Sequence, residues 1–266
     1  MKAARLANAV CPGIVHAQVR YKELLRQLLQ PGVRWLDLGC GHEVVRSWAL
    51  LPGEDELTFT HAPALSVGVD RDGLSLRNNR CIPNRVAGDI QMLPFTDCSF
   101  DVVTANMVLE HAERPAAFLS EVWRVLRPKG VFVFHTPNKY FPASLIGSLL
   151  PDALKTRLLA AITSRNERDV YSTFYRINTR SAITRYCEAT GFRTHYFAPL
   201  ETLTVSRHRV VFLFHLAVAR LLRWKALAQL QANFLVMLCK PGGDCPCPKL
   251  AASRADDNVQ PWPSAA

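Results

Sequence analysis

Asp37, Gly39, Cys40 and Gly41 close one apolar run (Arg34–Glu43, RWLDLGCGHE), and Asp70 closes the next (Val67–Asp72, VGVDRD). A turn through Gly39-Cys40-Gly41 can bend sharply and lie close to a ligand, because neither glycine carries a Cβ. The helix expected after it points unpaired N–H groups at whatever sits above the strand ends. A carboxylate at the carboxyl end of the neighbouring strand is placed to accept hydrogen bonds from a ribose diol. Together these residues describe a nucleoside-binding site. A dinucleotide site fits less well: the third glycine of Gly-x-Gly-x-x-Gly falls on Val44, and Glu43 at the helix start would repel a pyrophosphate.

The elements that must position these residues can be read from hydrophobic periodicity. A helical period spans His16–Leu29 and stops at Pro31-Gly32. Apolar runs at Val33–Leu38, Leu65–Asp70, near Arg85–Ala87, Phe100–Ala105 and Val131–Thr136 are expected strands. Pro115–Leu126 is a helix between the last two, ended by Pro128-Lys129-Gly130. Short, continuously apolar strands separated by helices indicate a parallel sheet covered on both faces, an α/β architecture with ligands outside the carboxyl ends of its strands. Residues 138–178 lack strand periodicity and suggest a helical lid. Thr179–Thr190 is a helix with Thr179 as N-cap and Gly191 at its exit. Strands are expected near Arg193–Ala198 and Phe234–Cys239, and a helix over His208–Trp224. That helix has a basic arc (His208, Arg209, His215, Arg220, Arg223) opposite an apolar face (Val210, Leu213, Phe214, Ala217, Val218, Leu221, Trp224). It reads as a cover packed on the sheet or, alternatively, as a peripheral membrane contact through 208–224.

The 266 residues suit one domain over 1–240, with a nucleoside-binding part at about 31–138 and a lid and substrate part at about 139–230. The segment 241–266, rich in Pro, Gly and Ala, is expected to be a disordered tail. Between Phe141 and Leu230 there are 13 Lys and Arg against 5 Asp and Glu, so most of the net charge of +10 lies beside the second ligand. An anionic small molecule, a phosphorylated lipid or nucleic acid would each suit that surface. The eight cysteines are scattered without a Cys-x-x-Cys pair and read as reduced thiols. No apolar run precedes Pro12 and none reaches the ~18 residues of a spanning helix, so a cytoplasmic location is expected, with membrane association as the alternative. No His, Cys and carboxylate cluster has metal-ligand spacing.

Five segments in order, LDLGCG, GVD, AGDIQMLPFTDCSFDVV, VLEH and EVWRVLRPKGVFVFHTPN, resemble the class I S-adenosylmethionine-dependent methyltransferases. The likeness is to the small-molecule group that includes the ubiquinone and menaquinone enzymes, and it covers about Val33–Asn138. It implies a Rossmann-like, mostly parallel seven-stranded sheet with helices on both faces, and S-adenosyl-L-methionine as cofactor. It further implies that Asp37, Gly39, Cys40 and Gly41 form the turn beneath the methionine part. Asp70 would take the ribose hydroxyls with Arg71 beside the adenine, Asp89 the adenine amine with Ile90 on the ring, and Asn106 would lie near the sulfonium. Glu43 replaces the usual third glycine, and a loop at about 52–63 is additional.

A hydroxyl acceptor needs a general base, and His111 or His135, just beyond the fourth and fifth strands, are the candidates. Asn138, Tyr140, Arg168, Tyr171, Tyr175 and Arg176 combine aromatic faces with guanidinium groups and are the expected substrate contacts. The expected activity is methylation of a small molecule, at an oxygen of an anionic, glycan-, lipid- or secondary-metabolite-related substrate. The alternatives are an RNA methyltransferase and a non-catalytic cofactor-binding scaffold; Asn106-Met107-Val108-Leu109 does not match the Asn/Asp-Pro-Pro-aromatic motif of enzymes that methylate base amines.

Overall fold

The computed structural model describes residues 9–11, 15–45, 49–50, 54–142, 145, 172–202, 209–222, 224 and 227–242. Seven strands form one sheet: β1 (Arg34–Leu38), β2 (Leu65–Asp70), β3 (Asn84–Ala87), β4 (Phe100–Asn106), β5 (Leu126–Pro137), β6 (Arg193–Leu200) and β7 (Asn233–Cys239). Their order is β3-β2-β1-β4-β5-β7-β6, with β7 antiparallel to both neighbours and every other pairing parallel. The carboxyl ends of β1, β2, β3, β4, β5 and β6 therefore share one rim, and the cofactor candidates and both histidines lie at or beneath it.

Helices α1 (Ala17–Leu28), α2 (Leu57–Thr60), α3 (Gly73–Asn78), α4 (Pro115–Val125), α5 (Arg180–Thr190) and α6 (Arg209–Leu222) complete the described chain. One core, around Val103, Phe118, Val122, Phe132 and Phe192, fills the face covered by α4 and α5. A second, around Tyr21, Leu25, Trp35, Val133 and Met237, fills the face covered by α1. Strands buried on both faces explain why their sequences are apolar without alternation. The Thr179 hydroxyl accepts from the Ala182 N–H at 3.2 Å and starts α5. Gly191 ends it at φ +96°, with the Trp123 ring 3.1 Å from where a Cβ would stand.

Two expectations need correction. The helix over 208–224 exists as α6, but the face turned inward carries Phe212, Leu216, Ala219 and Leu222, whereas Leu213, Phe214, Leu221 and Trp224 are exposed. Both sides of this helix are apolar, so periodicity alone could not choose between them. Among the cysteines, Cys11, Cys40, Cys81, Cys98 and Cys187 are free thiols, but Cys239 is disulfide-bonded. Most of the segment expected to form a lid, including Arg168 and Tyr171, and the residues beyond Gly242 lie outside the described residues.

Candidate active site

The glycine turn is held from below by backbone and from the side by one asparagine. Gly39 and Cys40 both donate to the Val69 carbonyl, at 2.7 and 3.1 Å, which fastens the turn to the end of β2. Gly39 (φ +64°) and Gly41 (φ +50°) adopt the left-handed backbone that only glycine takes without strain. A Cβ on Gly39 would lie 2.5 Å from Val108, so the turn is seated directly on the exit of β4. A Cβ on Gly41 would meet nothing within 4 Å, so the turn's outer surface faces open space. Cys40 points inward, its Sγ over Gly68, and contributes backbone alone. The buried Asn79 amide donates to the Cys40 and Gly41 carbonyls at 3.2 and 3.0 Å and accepts from the Cys81 and Ile82 N–H groups. Nothing in the sequence marks Asn79, because the partners it braces lie far back along the chain.

Asp70 accepts from the Gly41 N–H at 2.8 Å and from the Asp72 N–H at 2.9 Å, one bond on each oxygen. An ionised carboxylate offers about four acceptor sites, so it can still take a diol. Arg71 and Asp89 form an ion pair beside it, and Asp89 also accepts from the Gln91 N–H at 2.9 Å. Burial opposes the Asp89 charge, but the Gln91 N–H and the Arg71 guanidinium outweigh it and hold its carboxyl below the usual range. Ile90 is half-buried against the core beneath. These positions converge at the ends of β2 and β3.

The additional loop acquires a role in this frame. Glu56 accepts from the Val45 N–H at 3.2 Å and from the Cys81 thiol, which braces the chain just after the turn. Glu54 takes Lys22 at 2.5 Å and Arg26 at 2.9 Å, which fastens α1 to the same loop. Glu43 keeps an ordinary backbone and stands 3.7 Å from His42, so a side chain is tolerated there.

At the end of β4, Asn106 is committed on all sides. Its amide exchanges two 3.0 Å hydrogen bonds with the Gln18 amide, donates to the Val44 carbonyl at 3.1 Å and faces His135 Nδ1 at 2.9 Å. Asn106 Oδ1 can only accept, so His135 Nδ1 carries the proton. Burial first, and then neighbouring His16, lowers the His135 pKa to about 3 against the opposing Asn233 side chain. His135 is therefore a neutral brace with a strongly disfavoured cation.

His111 sits in a short 3-10 turn, Leu109–His111, reached through Met107 in a left-handed backbone (φ +59°). Such strain in a non-glycine residue is often found beside functional sites. His111 Nδ1 is 2.8 Å from the Ser172 carbonyl, an acceptor, so Nδ1 donates and Nε2 carries the lone pair. The buried Glu110 carboxylate lies 3.9 Å from that Nε2 and accepts from the Thr136 hydroxyl at 3.3 Å. The Glu110 carbonyl in turn accepts from the Phe174 and Tyr175 N–H groups, which fastens the segment before α5 onto this turn. Glu110 was missed in the sequence, although it adjoins the histidine in VLEH.

The expected substrate residues are placed unevenly. Tyr140 is 51% exposed at the rim, and Arg176 stacks over Phe174 beside Tyr175. Asn138 is fully buried, and its amide is spent on the Gln229 and Gln231 carbonyls and the Tyr140 N–H. Its polar atoms hold the loop, so it acts as a brace rather than a direct contact. An open cleft of about 770 Å³, lined by Tyr140, Thr179, Arg180, Arg185 and Phe234 among others, lies along the start of α5 and holds none of the cofactor candidates.

Asp37 lies beneath the turn, fully enclosed, and accepts from the Thr104 hydroxyl at 2.5 Å, which itself accepts from the Trp35 indole at 2.8 Å. Burial raises its pKa from 3.8 to about 7, against the Thr104 hydrogen bond. The folded state thus holds this proton more tightly than the unfolded chain. Its stabilising share is full below about pH 4 and is lost as pH rises through about 7. An Asp37→Asn variant keeps the Thr104 contact and is expected to gain on the parent protein as pH rises from 4 to 8, on the order of 4 kcal/mol. Urea denaturation at both pH values checks this, and a pH-independent difference would refute the buried protonated acid.

Residues 36–134 match the family model of a methyltransferase domain. The chain is 37% identical over 144 residues to a demethylmenaquinone methyltransferase of Mycobacterium sp. (strain KMS), covering 53% of this chain and 58% of that protein. It is 39% identical over 109 residues to a fatty-acid O-methyltransferase of Mycolicibacterium smegmatis, covering 39% and 36%. The chain spans between 30% and 58% of the length of these and the other first-ranking curated relatives. A crystal structure of an S-adenosylmethionine dependent methyltransferase from Mesorhizobium loti shares the fold, with a TM-score of 0.53 at 18% identity over 81% of this chain and 95% of that one. S-adenosyl-L-methionine fits the residues present: an open surface above Gly41, spare acceptor sites on Asp70, and a polar pair at Arg71 and Asp89. Residues 36–134 are therefore similar to a methyltransferase domain, on a fold shared with a solved S-adenosylmethionine dependent methyltransferase.

Proposed function

We propose that this protein methylates a hydroxyl oxygen of a small, lipid- or quinone-like acceptor, with His111 as the general base. The observation that carries the reading is the His111 tautomer: the Ser172 carbonyl holds the proton on Nδ1 and leaves Nε2 to receive one, with Glu110 at 3.9 Å to stabilise the resulting cation. When bound, the cofactor supplies an electrophilic methyl group on a sulfonium. His111 would take the acceptor's O–H proton, leaving an oxygen lone pair to receive the methyl group that the bound cofactor would supply with its sulfonium as leaving group. His135, whose cation burial forbids, positions Asn106 instead.

Gly39, Cys40 and Gly41 would cradle the methionine part, Asp70 the ribose, and Arg71, Asp89 and Ile90 the adenine. Tyr140, Tyr175 and Arg176 would face the acceptor, and the site would exclude water and align the reacting atoms. Alignment of this kind can contribute about 7–11 kcal/mol. Similarity to enzymes named for demethylmenaquinone and a fatty acid supports a lipidic acceptor, and the basic second half supports an anionic one. Incubation with methyl-labelled cofactor and a panel of hydroquinones, fatty acids and glycolipids tests it. An O-methyl product by mass spectrometry is expected. Label on carbon or RNA alone, or in no product, would sink it.

A further inference from the structure

β6 and β7 pair in antiparallel register from Arg193↔Cys239 to Leu200↔Asn233. A hairpin of that kind closes with two to five residues, yet residues 201–232 intervene here and include α6. The insertion stands on the catalytic rim, because Asn233 pairs on its other side with Pro137 at the carboxyl end of β5. Phe212, Leu216 and Ala219 fix α6 inward against Cys11. Outward, Leu213 is 50%, Phe214 56%, Leu221 48% and Trp224 68% exposed, with Ala217 and Arg220 between them. At 100° per residue, the outward helical positions from Arg220 to Phe214 span about 120°. A contiguous apolar face of this kind on an otherwise well-packed domain marks a docking surface.

We propose that α6 lays the protein on an anionic lipid bilayer and turns the catalytic rim toward the membrane. No carboxylate occurs from Thr202 to Asn233, while Arg207, Arg209, Arg220, Arg223 and Lys225 do. A second copy docking through this face would set like charges against each other, whereas anionic headgroups attract all of them. Trp and Phe among arginines suit the headgroup boundary, and apolar burial combined with charge gives the two signals that stable surface binding requires. No described helix is long and apolar enough to cross a membrane, so α6 lies in the surface. The inference deepens the proposed function by naming where a lipidic acceptor is met, and it rests on that reading only for the acceptor.

Co-sedimentation of the full chain with vesicles tests it, without cofactor or acceptor present. Vesicles of equimolar phosphatidylcholine and phosphatidylglycerol are expected to pellet the protein in a salt-sensitive manner, and phosphatidylcholine alone is not. Phe214→Ser combined with Leu221→Ser should weaken binding about tenfold or more. Arg220→Glu should weaken it by a similar factor. Both serines replace exposed side chains, so the thermal midpoint and cofactor affinity should be unchanged. Equal binding to neutral vesicles, indifference to the double substitution, or a dimer dissolved by that substitution with no vesicle binding would each overturn the proposal. Failure of vesicle binding would leave methyl transfer to soluble acceptors untouched, and the absence of methyl transfer would leave docking intact, so the two readings fail separately.

Discussion

Replacing Asp70 by alanine is expected to weaken S-adenosyl-L-methionine binding by about two to four orders of magnitude. Two hydrogen bonds from a ribose diol to an ionised carboxylate are worth roughly 1.5–3 kcal/mol each, and about 1.4 kcal/mol is tenfold in affinity. The same carboxylate accepts the Gly41 and Asp72 N–H groups, so the variant also unfastens the turn from β2. Asp70→Asn separates the two contributions, since one oxygen remains to accept while the charge is gone. It should fall between alanine and the parent. Calorimetric titration measures the affinity, and a thermal melt confirms that each variant is folded. An alanine variant within threefold of the parent would remove Asp70 from the cofactor site.

The second large effect is on turnover. His111→Ala should lower kcat for a hydroxyl acceptor by about 10²–10⁴, the range a positioned general base contributes. Cofactor affinity should remain, because His111 bonds to Ser172 across the rim and touches none of the turn's hydrogen bonds. His111→Asn can still donate to the Ser172 carbonyl, so it tests the proton acceptor while retaining the Ser172 contact. If asparagine restores the rate, the residue only holds the Ser172 segment. If both variants are slow and the parent's pH–rate dependence disappears in them, Nε2 is the base. Glu110→Gln should lie between, since it removes the charge at 3.9 Å and leaves the shape.

What the sequence could and could not convey follows from where each residue's partners lie. β1, β2, β4 and the Val131–Thr136 part of β5 were readable because each is an apolar run bounded by glycine, proline or a charge, a pattern that double-sided burial requires, whereas the start of β5 at Leu126–Gly130 was read as the end of a helix. Thr179 and Gly191 were readable because a helix's own ends impose them. Asn79, Gln18 and Glu56 were not, although each holds the site together, because their partners lie elsewhere along the chain and no local spacing records them. The additional loop gave no motif for the same reason: its acids matter only once α1 and the glycine turn stand beside it. Asn138 and His135 looked chemical by type, and only the buried surroundings show that the Asn138 amide is already committed and that the His135 cation is disfavoured. The orientation of α6 was ambiguous because apolar residues occupy more than half its circumference.

The contact between Gly39 and Val108 has a kinetic corollary. Val108 comes immediately before the three residues that include His111, and no side chain cushions it from the turn. If cofactor binding displaces the turn, this contact would pass the shift toward His111. Donor occupancy and readiness to accept a proton would then be coupled. Steady-state measurements should accordingly show compulsory ordering, with the donor entering before the acceptor, and dead-end inhibition by an acceptor analogue should be uncompetitive against the donor.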